Sequence, residues 1–198
     1  PMGGNSRIPD VYGWYSLGKT SQRVILIMFW ALLITFLLTQ RKKMDFTLRI
    51  YRKLLTTLQH SGYRFVTFEQ YCESLLEERK EEPFVILRHD VDLKAKNSLR
   101  TAQIEHELGI KASYYFRVVP QSNQPEIIRA ITALGHEIGY HYEDMAIAQG
   151  DAEQAFAHFK KQLAYFRQFY PVQTICMHGA PTSKWDGREL WKHYDYRQ

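Results

Sequence analysis

Cysteine is nearly missing from this chain. Cys72 and Cys176 stand alone among 198 residues, with no CxxC pair and no zinc-ribbon spacing. A disulfide framework is therefore not expected, and no sulfur-ligated metal motif is present. There is no internal repeat with matching residues and no low-complexity tract. The charge excess is small, a formal +5. Much of it sits at Lys19, Arg23, Arg41, Lys42, Lys43, Arg49, Arg52 and Lys53. A balance of this size reads as a solvated basic surface, and no nucleic-acid partner is expected.

What is present suits one globular domain behind a distinct N-terminal segment. Residues 1–22 are rich in Gly, Ser, Pro and Tyr without a period. They read as an irregular lead-in. Val24–Leu38 is an uncharged apolar run with basic residues on both sides. It is somewhat shorter than the ~20 residues of a spanning helix. It predicts a hydrophobic helix and a membrane anchor touching lipid, with the stronger Arg41-Lys42-Lys43 cluster favouring a cytoplasmic C-terminal domain. No A-x-A site follows the run, which argues against a cleaved signal peptide. The competing reading takes Met44 as the natural start, which makes the protein cytoplasmic. On either reading residues 1–43 form a lead-in and residues 44–198 the working domain.

From Asp45 the pattern is globular. Phe46–Leu58 predicts an amphipathic helix capped by Asp45 and stopped by Gly62. A second helix is expected from Thr67 through Leu76. Phe84–Arg88 then reads as a strand, Ala95–Leu108 as a helix ended by Gly109, and Ala112–Val118 as a strand. Gln124–Leu134 reads as a helix ended by Gly135, and His136–His141 as a strand. A long helix over Ala152–Tyr170, a strand over Val172–Met177 and a short helix over Trp185–His193 complete the series. Alternation of this kind predicts an α/β fold with a parallel sheet and helices outside it.

In such folds ligands bind at the carboxyl ends of strands. The first strand of the series runs into His89, Asp90 and Asp92, the third into His141, Tyr142, Glu143 and Asp144, and the fourth into His178. Buried strands do not end in charge without something to take it up. Side chains alternate, so Asp90 and Asp92 share a face. Two carboxylates and two imidazoles at one rim make a nitrogen/oxygen metal site beside a general base. The plainer alternative is that Asp90 and Asp92 cap the following helix. His136 has the opposite parity to His141 and reads as structural. Arg88 and Arg117 are candidates to pair with the two carboxylates, and Tyr140, Tyr142 and Trp185 to stack on sugar rings.

Three segments, Ile86–Leu93, Gly109–Phe116 and Leu134–His141, resemble the polysaccharide deacetylase family with the NodB homology fold, also called carbohydrate esterase family 4. The resemblance covers Phe84–Gln198. It implies a distorted (β/α) barrel and a hydrolase that removes acetyl groups from amino sugars of a polysaccharide or glycoconjugate, with a divalent metal, often zinc. Carried over residue by residue, it makes Asp90 the base that takes a proton from the attacking water, and Asp92 and His141 metal ligands. The family's second histidine, four residues after the first, is replaced by Met145. That leaves His178 as the candidate third ligand or proton donor, with Glu143 as runner-up. The family's late Leu-x-His motif has no counterpart. The resemblance thus predicts a partial barrel, incomplete at its C-terminal end, with an open sheet edge. The alternative function is a degenerate deacetylase-like module that binds glycan without turnover.

Overall fold

The computed structural model describes residues 47–76, 83–179 and 182–196. The Val24–Leu38 run and the expected cap at Asp45 lie outside the described residues. Among the described residues no helix is long and apolar enough to cross a membrane.

The first helix, α1 (Leu48–His60), begins at Thr47, whose Oγ1 accepts a hydrogen bond from the Ile50 N–H at 3.3 Å. That satisfies one orphan donor of the first turn. A short strand, β1 (Arg64–Val66), follows; no expected element covered it. Helix α2 (Phe68–Leu76) starts with a reciprocal cap. The Thr67 N–H donates to Gln70 Oε1 at 3.0 Å, and the Gln70 N–H donates to Thr67 Oγ1 at 3.2 Å.

The apolar run at Phe84 is not one strand with one partner. It divides at Leu87 into β2 (Phe84–Ile86) and β3 (Arg88–Val91). Strand β2 pairs parallel with β1, and β3 pairs parallel with β4 (Ser113–Phe116). The Ser113 N–H donates to the Leu87 carbonyl at 2.9 Å, so the ladder to β4 already begins at the break. Beyond β4 come α4 (Pro125–Ala133), β5 (Glu137–Tyr142), a short α5 (Asp144–Ile147), α6 (Ala152–Phe166) and β6 (Ile175–Met177). Helix α3 (Ala95–Glu107) joins β3 to β4, and a 3₁₀ turn over Gly187–Lys192 follows β6. The order β3-β4-β5-β6 is sequential and parallel throughout, forming a curled half-barrel sheet. Among the described residues no strand pairs with the outer edge of β6.

The period of two along each strand sorts the side chains between two faces. Val91, Tyr114, Phe116, Ile138, Tyr140 and Tyr142 face the helices and join Ile128, Ile131, Phe159 and Phe166 in the main core. Burial of such side chains supplies about 1.5–3 kcal/mol each. Tyr140 and Tyr142 are therefore core residues, with no surface to offer a sugar ring. Met145 lies in the same core, 5 % exposed. Helices α3 and α4 each hand over to the next strand through a glycine at positive φ, Gly109 (69°) and Gly135 (86°). Those left-handed positions are strained for any side chain with a Cβ.

The same outer layer holds a buried polar knot. Glu105 on α3 is fully buried and accepts hydrogen bonds from the hydroxyls of Tyr51 and Tyr114, the latter at 2.7 Å. His89 Nε2 lies 2.7 Å from the same carboxylate and stacks on Tyr114. Burial raises the Glu105 pKa, but the bonds from His89 and the two tyrosines outweigh it and hold the group below the ordinary carboxylate range. His89 thus ties β3 to α1 and α3 and points away from the concave face.

Candidate metal centre

The concave face carries the other parity: Arg88, Asp90 and Asp92 from β3 and the residue after it, Tyr115 from β4 and Arg117 just past it, Gly139 and His141 from β5, Cys176 from β6 and His178 just past it. Register sets their heights. Asp90 lies opposite Tyr115, Tyr115 opposite Gly139, and His141 opposite Cys176. Tyr115 reaches across Gly139 to bring its hydroxyl within 2.8 Å of Thr174 Oγ1. A Cβ on Gly139 would sit 2.3 Å from the Tyr115 ring, so only glycine lets this side chain floor the site. Beneath the floor, Glu137 accepts from Ser113 Oγ, from Thr174 Oγ1 and from the Glu69 N–H of α2.

Above the floor the structure brings Asp90, Asp92, His141 and His178 together. Nε2 of His141 lies 3.6 Å and Nε2 of His178 3.7 Å from one atom, Asp92 Oδ1. Asp90 Oδ2 is 4.0 Å from the same nitrogen of His141. The tautomer of His141 follows from its other nitrogen. Nδ1 lies 3.0 Å from the Cys176 carbonyl oxygen, which can only accept, so Nδ1 carries the proton and Nε2 presents its lone pair. Burial pushes the His141 pKa below the ordinary imidazole range, against the opposing pull of the Cys176 carbonyl and Asp90.

Asp92 Oδ1 is shielded from solvent and has no hydrogen-bond partner. An orphaned carboxylate oxygen facing imidazole nitrogens at those distances makes no hydrogen bond. Two ligands of a tetrahedral zinc ion, each about 2.0–2.1 Å from it, lie about 3.3–3.5 Å apart. The donor chemistry and the spacing both fit a divalent cation. Among the described residues, two groups of three donors fall within 4.8 Å of one another: Asp92, His141 and His178, and Asp90, His141 and Cys176.

The remaining expected residues fall elsewhere. Glu143 is not part of the cluster. It takes a bidentate ion pair from Arg117, Nε and Nη2 each at 2.8 Å, so Arg117 serves neither Asp90 nor Asp92. Arg88 does pair with Asp90, Nη2 to Oδ2 at 2.9 Å. Neither aspartate caps α3, because the N-cap position is Lys94 and no side chain bonds there. His136 is fully buried. Its Nδ1 accepts from the Ala112 N–H and its Nε2 donates to the Ala102 carbonyl, so it is structural. Trp185 is 36 % exposed and lines, with His178, Ser183 and Arg188, a pocket of about 270 Å³ beside the cluster. A larger cavity of about 900 Å³ runs along β6, lined by Phe68, Cys72, Tyr115, Phe159, Cys176 and Trp191 among others.

Two contacts escaped the sequence. Cys176 has no CxxC partner to mark it as a ligand, although its parity with His178, two residues on, puts it on the concave face. Asp144, expected only as a residue trailing His141, is fully buried and accepts from the Tyr140 hydroxyl and His158 Nδ1. No local pattern signals that pairing, since the two residues sit on separate helices.

No family model matches the chain, and no curated protein and no solved structure matches it.

Proposed function

We propose that this domain is a metal-dependent hydrolase that removes acetyl groups from amino sugars, of the polysaccharide deacetylase kind. The observation that carries the reading is Asp92 Oδ1, a shielded oxygen without a hydrogen-bond partner, with His141 and His178 aimed at it and Asp90 beside them. The three motif segments resembling that family add the substrate class, and the half-barrel sheet is consistent with its fold.

Asp92, His141 and His178 would hold the cation, zinc being the natural choice for an N₂O donor set. When bound, the ion supplies Lewis acidity at the acetyl carbonyl and makes a water easier to deprotonate. The rest is done by this chain's side chains. Asp90 takes a proton from the attacking water and returns it to the sugar nitrogen as the carbon–nitrogen bond breaks. Arg88 fixes the Asp90 carboxylate beside the cluster by donating to Oδ2. The Cys176 carbonyl fixes the His141 tautomer, so the ligating lone pair is always presented. Tyr115 closes the floor, and Trp185 offers a face to the sugar at the rim.

The test is acetate release from acetylated amino-sugar oligomers by the full chain with zinc or cobalt added. Turnover is expected in the wild type and is lost in Asp90→Asn. Metal-independent release, or release unchanged in Asp90→Asn, would overturn the reading.

A further inference from the structure

The two donor groups share one residue, His141, which belongs both to the set with Asp92 and His178 and to a set with Asp90 and Cys176. With Nδ1 bonded to the Cys176 carbonyl, Nε2 is its one free lone pair. One lone pair binds one ion, so the sets exclude each other. They differ in softness: the first offers a carboxylate and two imidazoles, the second a carboxylate, an imidazole and a sulfur. Soft thiolates favour soft cations, whereas imidazole and carboxylate suit harder ones.

The second set is assembled by strand parity and register, not by chance proximity of surface groups. Cys176 lies opposite His141 in the β5–β6 ladder. Its Sγ is 3.9 Å from Asp90 Oδ1, and Asp90 Oδ2 is 4.0 Å from His141 Nε2. Asp90 thus faces both other donors of the set, one with each carboxylate oxygen. Arg88 holds Asp90 Oδ2, and Oδ1 accepts a weak bond from the Cys176 thiol, so loss of the thiol proton frees both Oδ1 and the sulfur for a cation. The arginine charge opposes a second cation there. A thiolate adds a negative charge that offsets it.

We propose that Asp90, His141 and Cys176 form an alternative metal position selective for soft cations such as cadmium. Binding breaks the Cys176 S–H bond, forms a sulfur–metal bond and releases the proton to the buffer. Its inhibitory consequence, engagement of Asp90 so that it no longer serves as base, rests on the function proposed above; the binding itself does not.

The experiment titrates the full chain with cadmium alone and follows the thiolate-to-cadmium charge-transfer absorption in the ultraviolet. The expected result is a band that saturates at a single equivalent in the wild type and in Cys72→Ala. It is absent in Cys176→Ala, with Cys176→Ser as a second replacement that keeps a polar side chain. His178→Ala, which damages only the first set, keeps the band, and His141→Ala weakens it. Cobalt, the harder probe, gives a spectrum without a thiolate band. No band in the wild type, or an equal band in both Cys176 variants, would overturn the proposal. Loss of the band in His178→Ala would also overturn it, by making the sulfur part of the first set. Failure of acetate release with the cadmium results intact would instead count against the proposed hydrolase.

Discussion

His141 and His178 lie face to face, ring centroids 5.1 Å apart and planes 3° from parallel, and both direct Nε2 at Asp92 Oδ1. Parallel imidazoles from neighbouring strand ends cannot hydrogen-bond each other. The pairing orients two lone pairs toward one point. Rigid strands hold that geometry more tightly than loops would.

Asp90 and Asp92, though two residues apart on one face, should separate cleanly on substitution. Asp90→Asn is expected to keep the metal and lower kcat by about 10²–10⁴, the usual worth of a general base. Asp92→Asn is expected to lose the metal first. Metal content beside kcat, measured on both variants, checks the division of labour.

Arg88→Met tests positioning as distinct from catalysis. Arg88 reaches the reaction only through Asp90. Its loss should lower kcat with little change in KM, because the carboxylate loses the partner that orients it. A change in KM alone would assign Arg88 to substrate binding.

Stability should fall as the pH drops below about 6.5, the ordinary imidazole value. Burial depresses the pKa of both His136 and His141. Between the folded and unfolded values the unfolded chain binds protons that the folded chain refuses, so stability is full above the unfolded pKa and is lost toward the folded one. Thermal unfolding of the metal-free chain across this window is the measurement. His136→Gln should blunt the slope while leaving metal binding alone.

Much of this fold was legible in the sequence. The glycines at 109 and 135 mark helix ends, the β-branched and aromatic runs mark β4 and β5, and the polar residues closing each run mark the carboxyl rim. What was not legible is non-local. The three residues of β1 are too few to show a period. The break at Leu87 arises because one extended run must serve two neighbours. Glu143 looked available beside His141, yet its partner Arg117 comes from the strand next door. Glu105 resembled any helix-surface acid until Tyr51, His89 and Tyr114 closed around it.

That knot gives a control for the site. Glu105→Ala removes the shared acceptor of the Tyr51 and Tyr114 hydroxyls and the partner of the His89 ring, with Tyr114 falling back on Thr101 Oγ1 at 3.0 Å and Tyr51 on His89 Nε2 at 3.4 Å. The expected cost is about 3–5 kcal/mol in denaturant unfolding, as for a broken buried charged network. Zinc affinity of the folded fraction should not change, since no atom of the knot faces the concave side.

The most direct test is the zinc stoichiometry and affinity of the full chain by calorimetry, set beside Asp92→Ala. The account requires one tightly bound zinc in the wild type and its loss in the variant, with the variant still folded by circular dichroism. No zinc bound by the wild type, or undiminished binding by folded Asp92→Ala, would contradict it.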